Sequence, residues 1–144
     1  MKDIKQIYYS SDSGAILPEL QWHEEYVITD SAVTFSRNGK AVETQVNAGA
    51  WQVVVDGQQT AALFKQLEAV NIAALQRVEP QDAPDGAGFS SIAIEFSDGK
   101  NTNLFFDGGT TYTNSEQIID PINLFIQNLV LPDEAANRYN PAQP

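Results

Sequence analysis

The sequence contains no cysteine and only one histidine, His23. Without cysteine the chain can form no disulfide, no thiolate nucleophile and no thiolate metal site. No apolar run approaches the roughly 18 residues that a membrane-spanning helix requires, so membrane insertion is not expected. These absences exclude several classes of protein before any motif is considered.

Basic residues are also scarce, with 8 Lys and Arg against 19 Asp and Glu, which gives a net charge of −11 at pH 7. Such a charge repels phosphate backbones and anionic lipid headgroups, so a nucleic-acid partner is disfavoured. A protein partner remains compatible with this charge. The simplest interpretation of the acidity is a solvated surface that keeps the protein soluble.

The length and composition predict one globular domain. The chain has 144 residues, of which 42% are hydrophobic and 10% aromatic. This is enough to build a core without disulfides or structural metal ions. The domain is expected to span residues 1–132, because Pro132 ends the last periodic segment. Residues 137–144 contain two prolines and no apolar periodicity, so residues 133–144 are predicted to form a C-terminal extension.

Runs of β-branched and aromatic residues predict the strands. They lie at residues 4–10, 25–29, 32–37, 51–56 and 75–79. Asn38-Gly39 is typical of a type I′ hairpin turn, whose central positions both need positive φ. A two-residue loop there places Phe35 opposite Val42, and a tight hairpin is therefore expected.

A change to helical spacing follows the fourth strand. The residues that recur at helical spacing are Thr60, Leu63, Phe64, Leu67 and Val70, and Asp56 with Gln59 three residues later forms a plausible capping pair. The spacing predicts an amphipathic helix.

A second hairpin is predicted around Asp98-Gly99, between strands at residues 91–96 and 102–106. A strict two-residue loop would place Ile94 opposite Asn103. A loop with an odd number of residues instead brings Ile94, Leu104 and Phe106 to the same face, so an odd loop with a bulge is expected.

The last periodic segment predicts a second helix, capped by Asn114. Its apolar face consists of Ile118, Ile122, Phe125, Ile126 and Leu129. Pro121 either kinks this helix or restarts it after a first turn. A strand meander, a helix, a hairpin and a helix together predict an α+β fold, with an antiparallel sheet and both helices packed on one face.

No catalytic constellation is evident. His23 lies among acidic residues, but the chain around it reads as extended, so a surface histidine is favoured over a metal ligand or a general base. A hydrolase that uses two carboxylates remains an alternative, because nineteen acids offer many pairs. Asp82 and Asp85 lie in a proline-rich stretch without the ligand spacing of a calcium loop, so no metal or other cofactor is expected.

Two loops remain as candidate contacts for a protein partner, at residues 11–18 and 81–89. The candidate contact residues are Ser13, Gly14, Trp22, Asp82 and Asp85. Trp22 stands in a polar setting, and it is expected to be exposed while Trp51, Tyr8, Tyr9 and Tyr112 are expected to lie in the core. A non-catalytic binding or accessory domain is the leading hypothesis for the function.

Ile7-Tyr8-Tyr9-Ser10, followed by Ser13-Gly14 and by the predicted element order, resembles small bacterial domains of unknown function in lipoproteins and secreted proteins. The layout is similar to that of emfourin-type protease inhibitors, with Ala15 where those proteins tend to have a second glycine. The resemblance implies a location in the bacterial cell envelope or outside the cell. It also implies inhibition of a protease through an exposed loop as an alternative function.

Overall fold

The computed structural model describes residues 3–78, 89–107 and 111–140. The strands are β1 (Ile4–Asp12), β2 (Trp22–Thr29), β3 (Val33–Gly39), β4 (Gly49–Val53), β5 (Arg77–Val78), β6 (Phe89–Phe96), β7 (Asn101–Asp107) and β8 (Thr111–Tyr112). The helices are α1 (Gly57–Glu68) and α2 (Glu116–Gln127), and short 3₁₀ turns lie at Pro18–Leu20, Ile72–Ala74 and Asp133–Ala135.

Six strands form one antiparallel sheet in the order β4-β3-β2-β1-β6-β7, and β5 pairs with β8 in a small second sheet. Both helices contribute buried side chains to the core on one face of the large sheet. The predicted α+β fold is therefore confirmed. The other face of the large sheet, here called the open face, carries no helix of the described chain.

The core follows from strand alternation. Ile7 on β1 lies opposite Ile28 on β2 and Ile94 on β6, and all three side chains are fully buried. Leu67 of α1 and Ile118 of α2 pack into the same cluster. The neighbouring positions along each strand point to the open face, where Tyr8 is 43% exposed.

Helix α1 begins where the capping pattern predicts. Asp56 is the N-cap residue, and its carboxylate accepts a hydrogen bond of 2.9 Å from the backbone N–H of Gln58. The buried face of α1 consists of Thr60, Leu63, Phe64 and Leu67, as the spacing predicts. Thr60 also donates a hydrogen bond of 2.7 Å to the carbonyl of Asp30, which ties the helix to the turn between β2 and β3.

Replacement of this cap gives a first testable prediction. Asp56→Ala leaves the Gln58 N–H without its acceptor, and we expect the free energy of unfolding to fall by about 1 kcal/mol in urea denaturation followed by circular dichroism. Asp56→Asn keeps a capping oxygen and is the control, with a loss of less than about 0.5 kcal/mol expected. Equal losses in both variants would show that the cap does not act through this hydrogen bond.

The tight hairpin predicted at Asn38-Gly39 is wrong. Both residues continue β3, where they pair with His23 and Trp22 of β2. The partner of β3 on its other side is β4, and the connection runs through residues 40–48, so Val42 is fully exposed instead of facing Phe35.

Glycine is needed at position 39 for a different reason than the one the dipeptide suggests. Positive φ values in the described chain occur only at Gly14, Gly99 and Asn114, so Asn38-Gly39 does not form a type I′ turn. A Cβ atom on Gly39 would collide with the side chain of Thr44. The close approach of the 40–48 connection, and not a turn, therefore requires the missing side chain.

The odd loop predicted for the second hairpin is confirmed. Ile94 lies opposite Thr102, and Ile92 lies opposite Leu104. The N–H of Phe96 donates to the carbonyl of Lys100, which closes a three-residue loop in which Gly99 has a φ of 88°. Leu104 and Ile94 are consequently buried on the same face.

Helix α2 differs from the prediction at its start. Ser115, and not Asn114, is the N-cap residue, and Asn114 adopts a left-handed conformation with a φ of 59°. Asn tolerates this region better than most residues, which explains its place in the turn that leads into the helix. Pro121 lies inside one helical element, and no helix of the described chain has the length and hydrophobicity to cross a membrane.

The C-terminal segment, defined here as residues 133–140, packs against the rest of the chain. Ala135 is fully buried, and Val46 forms an isolated antiparallel bridge with Tyr139. The backbone N–H of Asn47 donates to the carbonyl of Arg138 at 2.8 Å. The residues predicted as an extension thus include a segment with its own tertiary contacts.

Candidate functional site

Three of the five predicted contact residues meet at one end of the large sheet. β1 ends at Asp12 and β2 begins at Trp22, and the β1–β2 loop, defined as residues 13–21, connects them. The N–H of Ser13 donates to the carbonyl of Trp22, and the N–H of Trp22 donates to Ser13 Oγ, both at 3.1 Å. Gly14 follows with a φ of 78°, a conformation that glycine adopts without penalty.

The tip of the β1–β2 loop is apolar and exposed. Four consecutive residues, Ala15, Ile16, Leu17 and Pro18, are exposed, with Ile16 at 43% and Leu17 at 61%. A run of exposed apolar residues on a connecting segment is characteristic of interaction sites, because single exposed apolar side chains are normally scattered. The tip is the part of this end of the sheet that is best placed to enter a pocket on another protein.

Hydrogen bonds within the β1–β2 loop define its shape. The side-chain amide of Gln21 donates to the carbonyl of Ile16, and the N–H of Leu20 donates to the carbonyl of Leu17, both at 2.8 Å. At the base of the loop, the N–H of Gly14 donates to the Asp12 carboxylate at 2.9 Å. The apolar tip is therefore presented in an organised conformation.

The loop is also supported from behind. The N–H of Gln45 donates to the carbonyl of Glu19 at 2.8 Å, and the hydroxyl of Tyr139 donates to the carbonyl of Leu20 at 2.9 Å. These two contacts bring the 40–48 connection and the C-terminal segment against the same stretch of the loop. Three parts of the chain that are distant in sequence thus position one loop.

A buried ionic cluster lies directly behind the loop and is called the Glu24 cluster, after its central residue. It consists of Glu24, Arg37 and Arg138. Arg37 Nε lies 2.8 Å from Glu24 Oε2, while Arg138 binds both carboxylate oxygens, at 2.9 Å through Nε and 3.0 Å through Nη2. Glu24 and Arg37 are only 5% and 3% exposed, so this pair is removed from solvent.

Arg37 joins the cluster to the C-terminal segment. Its Nη1 and Nη2 atoms donate to the carbonyls of Asn137 and Ala135, both at 3.1 Å. The guanidinium of Arg138 lies 4.0 Å from the ring centroid of Trp22, within the range of a cation–π contact. Trp22 is half-buried as a result, while Tyr8, Phe89 and Phe105 are more exposed than this tryptophan.

The charges of the cluster shift the pKa values around it. Burial by itself would raise the pKa of Glu24, but the hydrogen bonds from Arg138 and Arg37 outweigh burial and hold the pKa below its usual value. Burial, together with the nearby charge of Glu24, raises the pKa of Tyr26 to about 12. Glu24 is therefore held as a carboxylate and Tyr26 as a neutral phenol.

Asp12 organises a second group of charges on the open-face side of the same sheet end. Lys40 Nζ lies 2.6 Å from its carboxylate, and His23 Nδ1 lies 3.3 Å from Oδ2. Burial would raise the pKa of Asp12, but the hydrogen bonds from Lys40 and Gly14 hold it below its usual value. His23 Nε2 lies 3.1 Å from Glu25, so the histidine bridges two carboxylates in an extended strand.

The other two predicted contact residues, Asp82 and Asp85, lie outside the described residues. So does most of the 81–89 loop, of which only Phe89 belongs to the described chain, at the start of β6 and opposite Asp12. Within residues 3–78, 89–107 and 111–140, no three His, Asp or Glu side chains are grouped so that they could hold a metal ion.

Sequence reasoning missed the Glu24 cluster, although strand alternation contains a signal for it. Arg37 has the same parity along β3 as Val33 and Phe35, which are both fully buried. Glu24 has the same parity along β2 as Tyr26. Alternation therefore predicts an inward-facing arginine and an inward-facing glutamate, which must pair because buried charges require compensation.

Comparison of the chain with protein-family models, with curated proteins and with solved structures finds no match. The geometry of the sheet end is therefore the basis for the functional argument.

Proposed function

We propose that this chain is a non-catalytic protein-binding domain that presents the tip of its β1–β2 loop to a partner. The observation that carries the proposal is the run of four exposed apolar residues on a loop that is fixed by hydrogen bonds at its base and along its back. Binding through a preorganised loop loses little conformational entropy, so an apolar tip of this size can contribute to affinity.

The electrostatics favour binding over catalysis by carboxylates. Asp12 and Glu24 are the buried acids of the described chain, and both have lowered pKa values because lysine and arginine side chains neutralise them. A general acid in a hydrolase needs a raised pKa instead. These two carboxylates are engaged in holding the loop's base and its support, which is a structural task.

Protease inhibition is the second candidate function, and the exposure of Leu17 at the tip favours it. Leu17 is 61% exposed, more than Ile16 at 43%, and lies between a bend at residues 15–16 and the 3₁₀ turn at Pro18–Leu20. An exposed apolar side chain on a loop that the scaffold holds in place can enter the cleft of a protease. The resemblance to emfourin-type inhibitors also supports protease inhibition. The same resemblance is the basis for proposing a cell-envelope or extracellular location.

A charge-matched pair of variants tests the binding surface. The wild-type chain, Leu17→Asp and Val42→Asp are immobilised, and proteins captured from the native extract are quantified by mass spectrometry. Leu17 and Val42 are both exposed, and each variant adds one negative charge, but Val42 belongs to the 40–48 connection and not to the tip. We expect the specific partner to be captured at least about tenfold less by Leu17→Asp and unchanged by Val42→Asp, because a charge on an anchor residue must be desolvated on binding.

The outcomes separate the candidates. A partner that Leu17→Asp retains at wild-type level would refute the tip as the binding surface. If the partner is a protease whose activity the wild-type chain reduces and Leu17→Asp does not, the inhibitor proposal is supported. If the partner binds through the tip but the wild-type chain reduces no proteolytic activity of the purified partner, inhibition is rejected. The domain then remains a binding module.

A further inference from the structure

The two edges of the large sheet are protected very differently. At the β7 edge, the N–H of Phe105 donates to the hydroxyl of Tyr112, so β8 lies beside the strand. Covering segments and charged side chains are the usual means by which proteins block pairing at an edge.

At the β4 edge, the C-terminal segment bridges Val46 just before the strand, but no strand of the described residues continues this cover along Gly49–Val53. No strand of the described chain pairs with the outer side of β4. Residues 44–55 contain no Asp, Glu, Lys, Arg or Pro, although the chain as a whole has a net charge of −11. Val54, directly after β4, is 94% exposed. This is the combination of features that makes an edge strand a template for another strand.

We propose that β4 pairs antiparallel with β4 of a second copy of this chain, so that two six-stranded sheets join across a two-fold axis. A second copy fits this edge because an uncharged contact adds no local repulsion between two strongly acidic chains. The charge-free stretch meets itself in such a dimer, and no carboxylate of either β4 strand is brought opposite another.

The sequence of the edge is self-complementary when Gln52 lies on the two-fold axis. The two Gln52 amides then face each other, and each has both a donor and an acceptor to offer. In this register Ala50 of one copy lies opposite Val54 of the other, and Trp51 lies opposite Val53. The large exposed Val54 side chain thereby covers a small neighbour on the open face.

The oligomeric state is the direct test. We expect light scattering coupled to size exclusion to report a dimer when the chain is loaded at about 0.5 mM, since strand pairing buries a small area and gives a dissociation constant on the order of 10 µM. Raising the salt concentration from about 20 mM to about 500 mM should tighten the dimer, because it screens the repulsion between two acidic chains. A monomer under all of these conditions overturns the proposal.

Two lysine variants locate the contact. Val54→Lys should weaken the dimer by about tenfold or more, while Val42→Lys should leave it unchanged, because Val42 is exposed outside the β4 edge. Each variant reduces the net negative charge equally, so a difference between them cannot come from overall charge. Both positions are exposed, and circular dichroism should show that both variants fold. A dimer that persists unchanged in Val54→Lys forms through another surface and refutes the proposal.

The absence of cysteine allows the register to be measured. Nitroxide labels on Gln52→Cys should lie within about 20 Å of each other across the axis, because paired strands are only about 5 Å apart. Labels on Val42→Cys should be farther apart than those on Gln52→Cys. If the labels on Gln52→Cys are the more distant pair, the antiparallel register proposed here is wrong.

Discussion

Glu24→Gln should lower the free energy of unfolding by about 3–5 kcal/mol, because it removes the only carboxylate that compensates the buried guanidinium of Arg37 in the cluster. Arg37 is 3% exposed and cannot regain solvent without moving. Arg138 is different, since its side chain is 42% exposed and can be hydrated after the change. Most of the loss therefore comes from Arg37, and urea unfolding at neutral pH measures it.

Glu25→Gln is the matched control for this prediction. Glu25 is the next residue on β2, but its side chain is 55% exposed, and it contacts His23 on the open face. The same chemical change there should cost less than about 0.5 kcal/mol, because exposed ion pairs contribute little. Similar losses for both variants would show that the Glu24 cluster is worth no more than a surface pair.

The contribution of Glu24 also depends on pH in a defined direction. Its pKa in the folded protein is below the usual value, so its contribution is fully present above about pH 4.3, the usual pKa of a free glutamate. It is lost as the pH falls from that value through the lowered pKa of the folded state, because the unfolded chain binds the proton more tightly and is thereby stabilised relative to the folded protein. The difference in stability between the wild type and Glu24→Gln should accordingly shrink in acid.

The parts of the fold that could be predicted are those in which local pattern and tertiary contacts agree. In α1, the helical spacing from Thr60 to Leu67 coincides with the side chains that the sheet buries, and Asp56 caps the helix by a purely local hydrogen bond. In the β6–β7 hairpin, the odd loop follows from the need to bury Ile94 and Leu104 on one face.

The parts that could not be predicted depend on contacts between distant segments. Asn38-Gly39 has the local chemistry of a turn, yet pairing with β2 extends β3 through both residues, and packing of Thr44 explains the glycine. Arg138 lies 114 residues from Glu24 in sequence, so no local pattern links the C-terminal segment to the sheet. The tip of the β1–β2 loop was within reach of sequence reasoning, but its support by Tyr139 was not.

Phe35→Ala should produce a loss of about 3–5 kcal/mol in the free energy of unfolding, comparable to that of Glu24→Gln. The Phe35 side chain is fully buried on β3, and its ring stacks with Tyr26 at 4.6 Å and with Trp51 at 5.7 Å between centroids. Truncation leaves a cavity that neighbours on both adjacent strands must partly collapse to fill, and the aromatic contacts are lost as well. Urea unfolding followed by tryptophan fluorescence measures the change.

Phe105→Ala provides the comparison, because the Phe105 ring is 49% exposed on the open face and its removal should cost less than about 1 kcal/mol. The guanidinium of Arg37 lies 4.9 Å from the centroid of the Phe35 ring, so Phe35 also forms one wall of the Glu24 cluster. The double variant Phe35→Ala/Glu24→Gln should therefore lose less stability than the two single variants together. Strict additivity would mean that the aromatic core and the ionic cluster behind the β1–β2 loop are energetically independent.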